Sequence, residues 1–268
     1  MKNLQFIKLQ VIYFLKNVIG SKRFFDLSWP TAKKRRIVDK IQKKSFELNI
    51  RDSDDWVQIE HIFLNEEFNL SKTARQLELK DLYAKIKSVG SSPLIVDLGA
   101  NIGLASKYFD LIYPDSRILA VEPDKGNCEI AEKNLPSHAV LHCAAISSRQ
   151  GSGQLIATGR NVGFRVEKDV EGKVPFITVQ SLLDESIGYV PFIIKIDIEG
   201  FESDLFSENT EWMDLFPVVL IELHDWMLPG KTVTQNFLRE IASRRREFMH
   251  FDGYIASIAI DLSRFKII

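Results

Sequence analysis

The sequence predicts an α/β fold with a doubly wound, Rossmann-like, mostly parallel sheet, and three observations predict it. Short apolar runs alternate with amphipathic helical segments from residue 94 to residue 144 at the spacing of βα units. The first run, Leu94-Ile95-Val96-Asp97-Leu98, enters a small-residue loop, Gly99-Ala100-Asn101-Ile102-Gly103, and then a helical pattern. The second run, Arg117 to Val121, ends on another acidic residue, Glu122. A chain of 268 residues with 45% hydrophobic residues and a mean hydropathy of -0.06 can bury the core that such a sheet requires.

Taken in order, the elements begin with a basic extension, residues 1–51, set apart from a main domain, residues 52–268. The extension carries 13 Lys and Arg against 3 Asp and Glu, a net charge of +10 that the remainder, at -11, almost cancels. Apolar positions 4, 7, 11, 14, 15 and 18 have helical spacing, but Lys8, Gln10 and Lys16 interrupt the run, so it does not span a membrane. It reads as an amphipathic helix packed on the main domain or resting peripherally on a membrane surface. Residues 31–49, with Lys33-Lys34-Arg35-Arg36, read as a second basic helix, which makes the extension helical. No aromatic residues interleave with these charges in a stacking pattern, so no nucleic-acid partner is expected.

Residues 51–55 read as an acidic turn, 56–63 as a strand or short helix, and 77–89 as a helix closed by Gly90-Ser91-Ser92-Pro93. Strand 94–98, helix 102–112, strand 117–121, helix 126–134 and strand 139–144 follow. Residues 148–178 break this rhythm with glycines at 151, 153, 159, 163 and 172, and read as an inserted antiparallel hairpin beside the site. There Arg160, Asn161 and Arg165 are more readily solvated loop groups than substrate contacts. Pro191 to Gly200 forms the next core strand, with Lys195, Asp197 and Glu199 at alternate positions and therefore on one face. Three ionisable groups on a central strand need partners, so this face borders a polar cleft and Lys195 pairs with a carboxylate. Glu202 reads as the start and cap of the following helix. Residues 217–225 form another core strand with Glu222 and His224 on one face, and a helix over 231–246 ends in Arg244-Arg245-Arg246, where cations suit the helix dipole. Strands near 248–260 close the sheet as a hairpin. Cys128 and Cys143 have neither paired nor metal-like spacing and read as unlinked thiols of a reducing compartment, which makes a cytoplasmic location the default.

The chemistry concentrates around the glycine loop. Gly99 and Gly103 allow a ligand to approach the main chain, and the free N–H groups that open the next helix suit a polar or anionic group. Asn101 stands where a dinucleotide fingerprint wants its second glycine and Leu104 where it wants its third, which disfavours a nicotinamide-dependent oxidoreductase. Glu122 lies where these folds place a carboxylate on ribose hydroxyls. Asp97 would repel a pyrophosphate but suits a sulfonium or an amino group. A cationic, ribose-bearing ligand satisfies both carboxylates, and S-adenosylmethionine is that ligand.

Asp97 to Gly103, Val121-Glu122-Pro123 and Ile194-Lys195-Ile196-Asp197-Ile198-Glu199-Gly200-Phe201-Glu202, in that order, resemble the FkbM family of S-adenosylmethionine-dependent methyltransferases, over roughly residues 52 to 225. The resemblance implies a class I methyltransferase sheet of about seven strands, with residues 52–268 as its domain. It implies that Asp97, Gly99, Ala100, Asn101 and Gly103 hold the methionine part of the donor, Glu122 and Pro123 the ribose side, and the main chain near Ala145 the adenine. Residues in the region of Glu67-Phe68 then help to lid the cofactor. Asp197 faces the methionine end, and His224 or Asp197 takes the acceptor's proton, with Glu199, Glu222 and Lys195 as acceptor-site candidates. The implied reaction is O-methylation of a hydroxyl on a sugar, a glycan or a secondary metabolite.

Methyl transfer needs positioning, exclusion of water and removal of one proton, but no covalent protein nucleophile. The sequence accordingly has no Gly-x-Ser-x-Gly elbow and no complete Gly-x-x-x-x-Gly-Lys-Ser/Thr phosphate-binding loop. Asp197, Glu199, Glu222 and His224 would suit a metal-assisted variant, yet pairing with Lys195 accounts for the carboxylates, so no metal is expected. A non-catalytic membrane- or partner-binding protein on a degenerate cofactor fold is the remaining rival, disfavoured by the intact glycines and carboxylates.

Overall fold

The computed structural model describes residues 22–29, 31–160, 163–168, 172–251 and 253–265. The expected amphipathic helix over 1–18 lies outside them. The expected basic helix over 31–49 is instead an antiparallel sheet of β1 (Phe24–Asp26), β2 (Lys34–Asp39) and β3 (Lys44–Asn49) in the order β1-β2-β3. The reason lies in β2, where burial alternates. Arg35, Ile37 and Asp39 turn inward while Lys34 and Arg36 face solvent, and the inward Arg35 is ion-paired with the equally buried Asp26. A run of four cations hid a period of two. Phe24 of this sheet packs edge-on against Phe63, with ring centres 5.4 Å apart, and against Tyr108, so the sheet shares the core of the main domain.

Helix α1 (Ser53–Ile59) is capped by Asp52, whose carboxylate accepts from the Asp54 and Asp55 N–H groups, and runs on through a π-helical turn over Glu60–Leu64. Helix α2 (Gln76–Ser88) matches the apolar periodicity at 77–89. Then β4 (Ser92–Leu98), α3 (Leu104–Ile112), β5 (Arg117–Val121), α4 (Lys125–Asn134) and β6 (Val140–His142) alternate within two residues of the expected bounds. The insertion is a small separate sheet of β7 (Ala145–Ile146), β8 (Gly151–Arg160), β9 (Gly163–Lys168) and β10 (Val174–Ile177), in the order β7-β10-β8-β9. The side chains of Arg160, Asn161 and Arg165 lie outside the description. Helix α5 (Val179–Asp184), closed at its start by a capping box from Thr178 and Ser181, leads to β11 (Tyr189–Ile196). There follow α6 (Glu202–Leu205), β12 (Val218–Glu222), α7 (Gln235–Ala242), β13 (Arg246–Phe251) and β14 (Tyr254–Ala259).

The main sheet has seven strands in the order β13-β14-β12-β11-β4-β5-β6, with β14 antiparallel to both neighbours and the other pairs parallel. Chain order reverses between β11 and β4, and this switch point is where an open α/β sheet forms its crevice. Both faces are covered. Ile95 and Ile193 join a cluster with α2, α3 and the N-terminal sheet, while Val96, Leu98, Ile194 and Ile196 join a second with α5, α6 and α7.

Two further expectations fail. The run Arg244–Arg246 does not end a helix, because α7 stops at Ala242 and Arg246 opens β13. Only 6% exposed, Arg246 donates to the carbonyls of Met213, Phe216, Pro217 and Ser257 at 3.0 to 3.2 Å, tying the turn before β12 to the edge hairpin. Cys128 on α4 and Cys143 just past β6 form a disulfide, with Cα atoms 6.2 Å apart. The helix and the strand that follows it bring the two residues together, which a separation of 15 positions does not reveal. The expectation of a reducing compartment thereby loses its basis. Among the described residues no helix is long and apolar enough to cross a membrane.

Candidate active site

Parallel strands deliver their C-terminal ends to one edge of the sheet, and β4, β5, β11 and β12 bring Gly99, Glu122, Asp197 and Glu222 to that edge. At Gly99 the chain turns with φ of 77°, and a Cβ there would run into the Asp197 carbonyl oxygen, so only glycine lets the loop pass this close to β11. The Gly99 and Ala100 N–H groups both donate to the Val121 carbonyl at 2.9 Å. Asn101, also at positive φ, donates its N–H to Glu122 Oε2 at 2.9 Å. Glu122 Oε1 accepts from the Asp124 N–H at 3.0 Å and from the Asn127 side-chain amide at 2.9 Å. Burial pushes the Glu122 carboxyl above its ordinary pKa, and these three donors offset part of that shift.

A cavity of about 300 Å³ opens along this edge. On the β4–β5 side it is lined by Gly99, Ala100, Asn101, Glu122, Pro123 and Ala145, and on the β11–β12 side by Lys195, Asp197, Glu199, Glu222 and Tyr254. Val57, Gln58 and His61 of the helix before α2, with Glu67 and Phe68 beyond it, complete the wall. Thus ten of the site residues expected from the sequence, together with Glu67 and Phe68 of the expected lid, meet around one space. Asp97, Gly103 and His224 do not line it. Gly103, with φ of 81°, instead sets the start of α3. Fully buried, Asp97 accepts from Ser106 Oγ at 2.7 Å and faces Lys195 Nζ at 3.1 Å. It therefore supports the loop from behind, through Ser106 and Lys195.

Lys195 is the hinge of the electrostatics. Its ammonium, 3% exposed, donates to the Gly99 carbonyl at 2.9 Å and stands 3.5 Å from Asp197 Oδ2. Burial would lower its pKa, but Asp97 and Asp197 outweigh that and raise it. For Asp197 burial works upward, and Lys195 with His224 outweighs it and holds the carboxyl below the usual range. Tyr254, from the antiparallel strand β14, donates its hydroxyl to Asp197 Oδ2 at 2.7 Å. Burial and the neighbouring Asp197 push the Glu199 and Glu222 carboxyls up to about 7.

His224 is 1% exposed and sits behind these carboxylates. Its Nδ1 is 2.6 Å from Glu202 Oε1, while Nε2 faces Asp197 Oδ1 at 3.5 Å, Glu222 Oε1 at 3.8 Å and Glu199 Oε2 at 4.0 Å. Burial would lower the imidazole, but Asp197 and Glu202 dominate and lift it to about 11. An imidazole this buried, with both ring nitrogens turned to carboxylates and its proton held by them, is less suited to be the proton acceptor than its strand position alone suggests. Glu202 likewise departs from the expected cap. It begins α6, but its carboxylate turns inward to His224 and no side chain caps that helix.

The sequence reading missed Tyr254 and Asn127. Tyr254 has no local signal, because its role depends on β14 pairing with β12, 57 positions beyond Asp197. Asn127 could have been suspected from Asp124, which caps α4 and thereby aims that helix's first turn at Glu122.

The sequence matches the profile of the methyltransferase FkbM domain over residues 97–255. Methyltransferase sdnD of Sordaria araneosa is 38% identical over 78 residues, 28% of this chain, and the match spans 30% of that protein, less than a third of its length. Methyltransferase 1 of Beauveria bassiana is 26% identical over 206 residues, 62% of this chain and 82% of that protein. Among solved structures, an O-methyltransferase from Bacillus cereus in complex with SAH is 14% identical with a TM-score of 0.40, covering 78% of this chain and 91% of that one. The O-methyltransferase TomG from Streptomyces achromogenes, solved with SAM, is also 14% identical with a TM-score of 0.40, covering 80% and 92%.

Proposed function

This chain belongs to the FkbM methyltransferase family, with S-adenosylmethionine as methyl donor, and from that membership we propose that it O-methylates a hydroxyl of a sugar, glycan or secondary metabolite. One observation carries the reading. A single cavity is bordered on one side by the glycine loop and Glu122 and on the other by Asp197, Glu199 and Glu222. The first side fits the donor. Close main-chain approach at Gly99 and a carboxylate held in place by three N–H donors suit an amino-acid moiety and a ribose diol.

The bound donor supplies an electrophilic methyl on a sulfonium. The chain's own contribution is to place the acceptor oxygen in line, exclude water and take one proton. Asp197 already accepts from Tyr254 and faces Lys195, which fits a positioning role. Glu222 lines the cavity with a partly exposed carboxylate, and we assign it the acceptor's proton in place of His224 or Asp197. The methyl goes to the acceptor oxygen and that oxygen's proton to Glu222, so charge balances. The acidic lining also favours neutral polyhydroxylated acceptors over phosphorylated ones.

The test is calorimetric titration of the full chain with S-adenosylmethionine, followed by incubation with a panel of hydroxylated sugars and polyketide-like alcohols and chromatographic detection of S-adenosylhomocysteine. Saturable binding and product with a hydroxylated acceptor are expected. A folded chain that binds no donor, or one that methylates only nitrogen acceptors, overturns the proposal.

A further inference from the structure

Nδ1 of His224 is committed to Glu202 at 2.6 Å, and this fixes the ring so that Nε2 points toward Asp197, Glu199 and Glu222. A protein that merely paired an imidazole with a carboxylate would bring them to about 2.9 Å. Here three carboxylates converge on one nitrogen, on a side chain 1% exposed, and none of them comes closer than 3.5 Å. Ligand atoms arranged around a cation at about 2.1 Å stand about 3.0 to 4.2 Å apart, depending on the angle between them. The separations of 3.5, 3.8 and 4.0 Å fall in that range, and one ligand atom each from Asp197, Glu199 and His224 lies within 4.8 Å of the others.

A second observation is independent of that convergence. The groups that would bind are themselves oriented from behind by others that would not. Asp197 Oδ2 is occupied by the Tyr254 hydroxyl at 2.7 Å and by Lys195 at 3.5 Å, which leaves Oδ1 turned toward His224. Glu202, fully buried, does the same for the imidazole. A carboxylate holding the remote nitrogen of a histidine while the near nitrogen faces other carboxylates is the supporting shell that protein metal sites use. Charge points the same way. Asp97, Asp197, Glu199, Glu202 and Glu222 crowd around Lys195 and His224, so five carboxylates share two cationic side chains in a largely buried cluster.

We propose that Asp197, Glu199 and His224 bind a divalent cation at the acceptor end of the cavity, with Glu222 beside it, that the ion replaces the imidazole's Nε2 proton, which leaves to solvent, and that the ion takes an acceptor hydroxyl as a further ligand. One imidazole among carboxylates suits a first-row ion such as Mn2+ better than Ca2+. The placement deepens the methyltransferase reading, since a hydroxyl held on the ion beside Glu222 surrenders its proton more readily. This reverses the sequence expectation of no metal. That expectation treated Lys195 as sufficient partner for the carboxylates, whereas Lys195 reaches only Asp97 and Asp197.

The test is titration of Mn2+ into the chelator-treated full chain, read by calorimetry and by loss of the free-ion paramagnetic resonance signal, with S-adenosylmethionine binding measured separately. A saturable single-site isotherm is expected, weakened tenfold or more in both His224→Asn and Glu199→Gln. Because His224→Asn disturbs a buried group, Glu199→Gln, partly exposed, is the decisive variant. Donor affinity should stay within a few-fold in Glu199→Gln. A wild-type chain that binds donor but no Mn2+, or Mn2+ binding that both variants leave unchanged, overturns the metal site and leaves the methyltransferase reading standing. Mn2+ binding without donor binding overturns that reading and not the metal site.

Discussion

Replacing Lys195 by methionine removes the ammonium that three groups share and leaves a side chain of similar length. At 3.1 Å from Asp97 and 3.5 Å from Asp197, each attraction is worth about 5 kcal/mol at the effective dielectric of about 20 that suits protein sites. Most of that is offset by the cost of having buried the charges. What the substitution exposes is the stranded partner, because Asp97 is fully buried and keeps only Ser106. Removing one member of a buried pair costs about 3 to 5 kcal/mol, and the Gly99 carbonyl loses a hydrogen bond worth about 1 kcal/mol. We therefore expect Lys195→Met to lower the unfolding free energy by about 4 kcal/mol, a large part of the 5 to about 15 kcal/mol typical of a domain. Urea unfolding followed by tryptophan fluorescence measures it. Adding Asp97→Asn removes the stranded charge and should return about half of the loss. A single variant costing under about 1 kcal/mol, or a double variant whose losses simply add, would refute the argument that Lys195 and Asp97 form one buried unit.

Three other outcomes are expected. Glu122→Gln keeps the side chain's shape but loses its charge, and should weaken S-adenosylmethionine binding about tenfold or more by calorimetry. In the wild type, because burial raises the Glu122 pKa and the ribose hydroxyls need the ionised form, affinity should fall as pH drops through a point above the ordinary carboxylate value. Arg246→Met removes the guanidinium that donates to four buried carbonyls, of which Pro217 keeps only the Ala259 N–H, and should cost about 3 kcal/mol or more in denaturant while donor affinity per folded molecule stays unchanged. The chain unfolded without reductant should show no free thiol, and reduction of Cys128–Cys143, which closes a loop of 15 residues, should lower stability by about 3 kcal/mol.

What could be read from residue order was whatever depends on neighbours along the chain. The apolar run before Gly99, the spacing to Glu122, and the alternation of Lys195, Asp197 and Glu199 follow from side-chain periodicity and from the βα rhythm, and they located one wall of the cavity after another. The same local reasoning failed at β2, where a run of four cations looks helical until one sees that Arg35 turns inward to Asp26. It failed at Arg246 for a similar reason, since a charge in a basic run carries no mark of the four carbonyls waiting for it. Strand order and register decided the rest. Pairing of β14 with β12 brings Tyr254 to Asp197, and the turn after β11 swings Glu202 back to His224 and makes that histidine a buried, oriented group instead of an open base. Which carboxylate faces which cation is set by strands crossing over one another, and such contacts join residues far apart in sequence, so no periodicity along the chain encodes them.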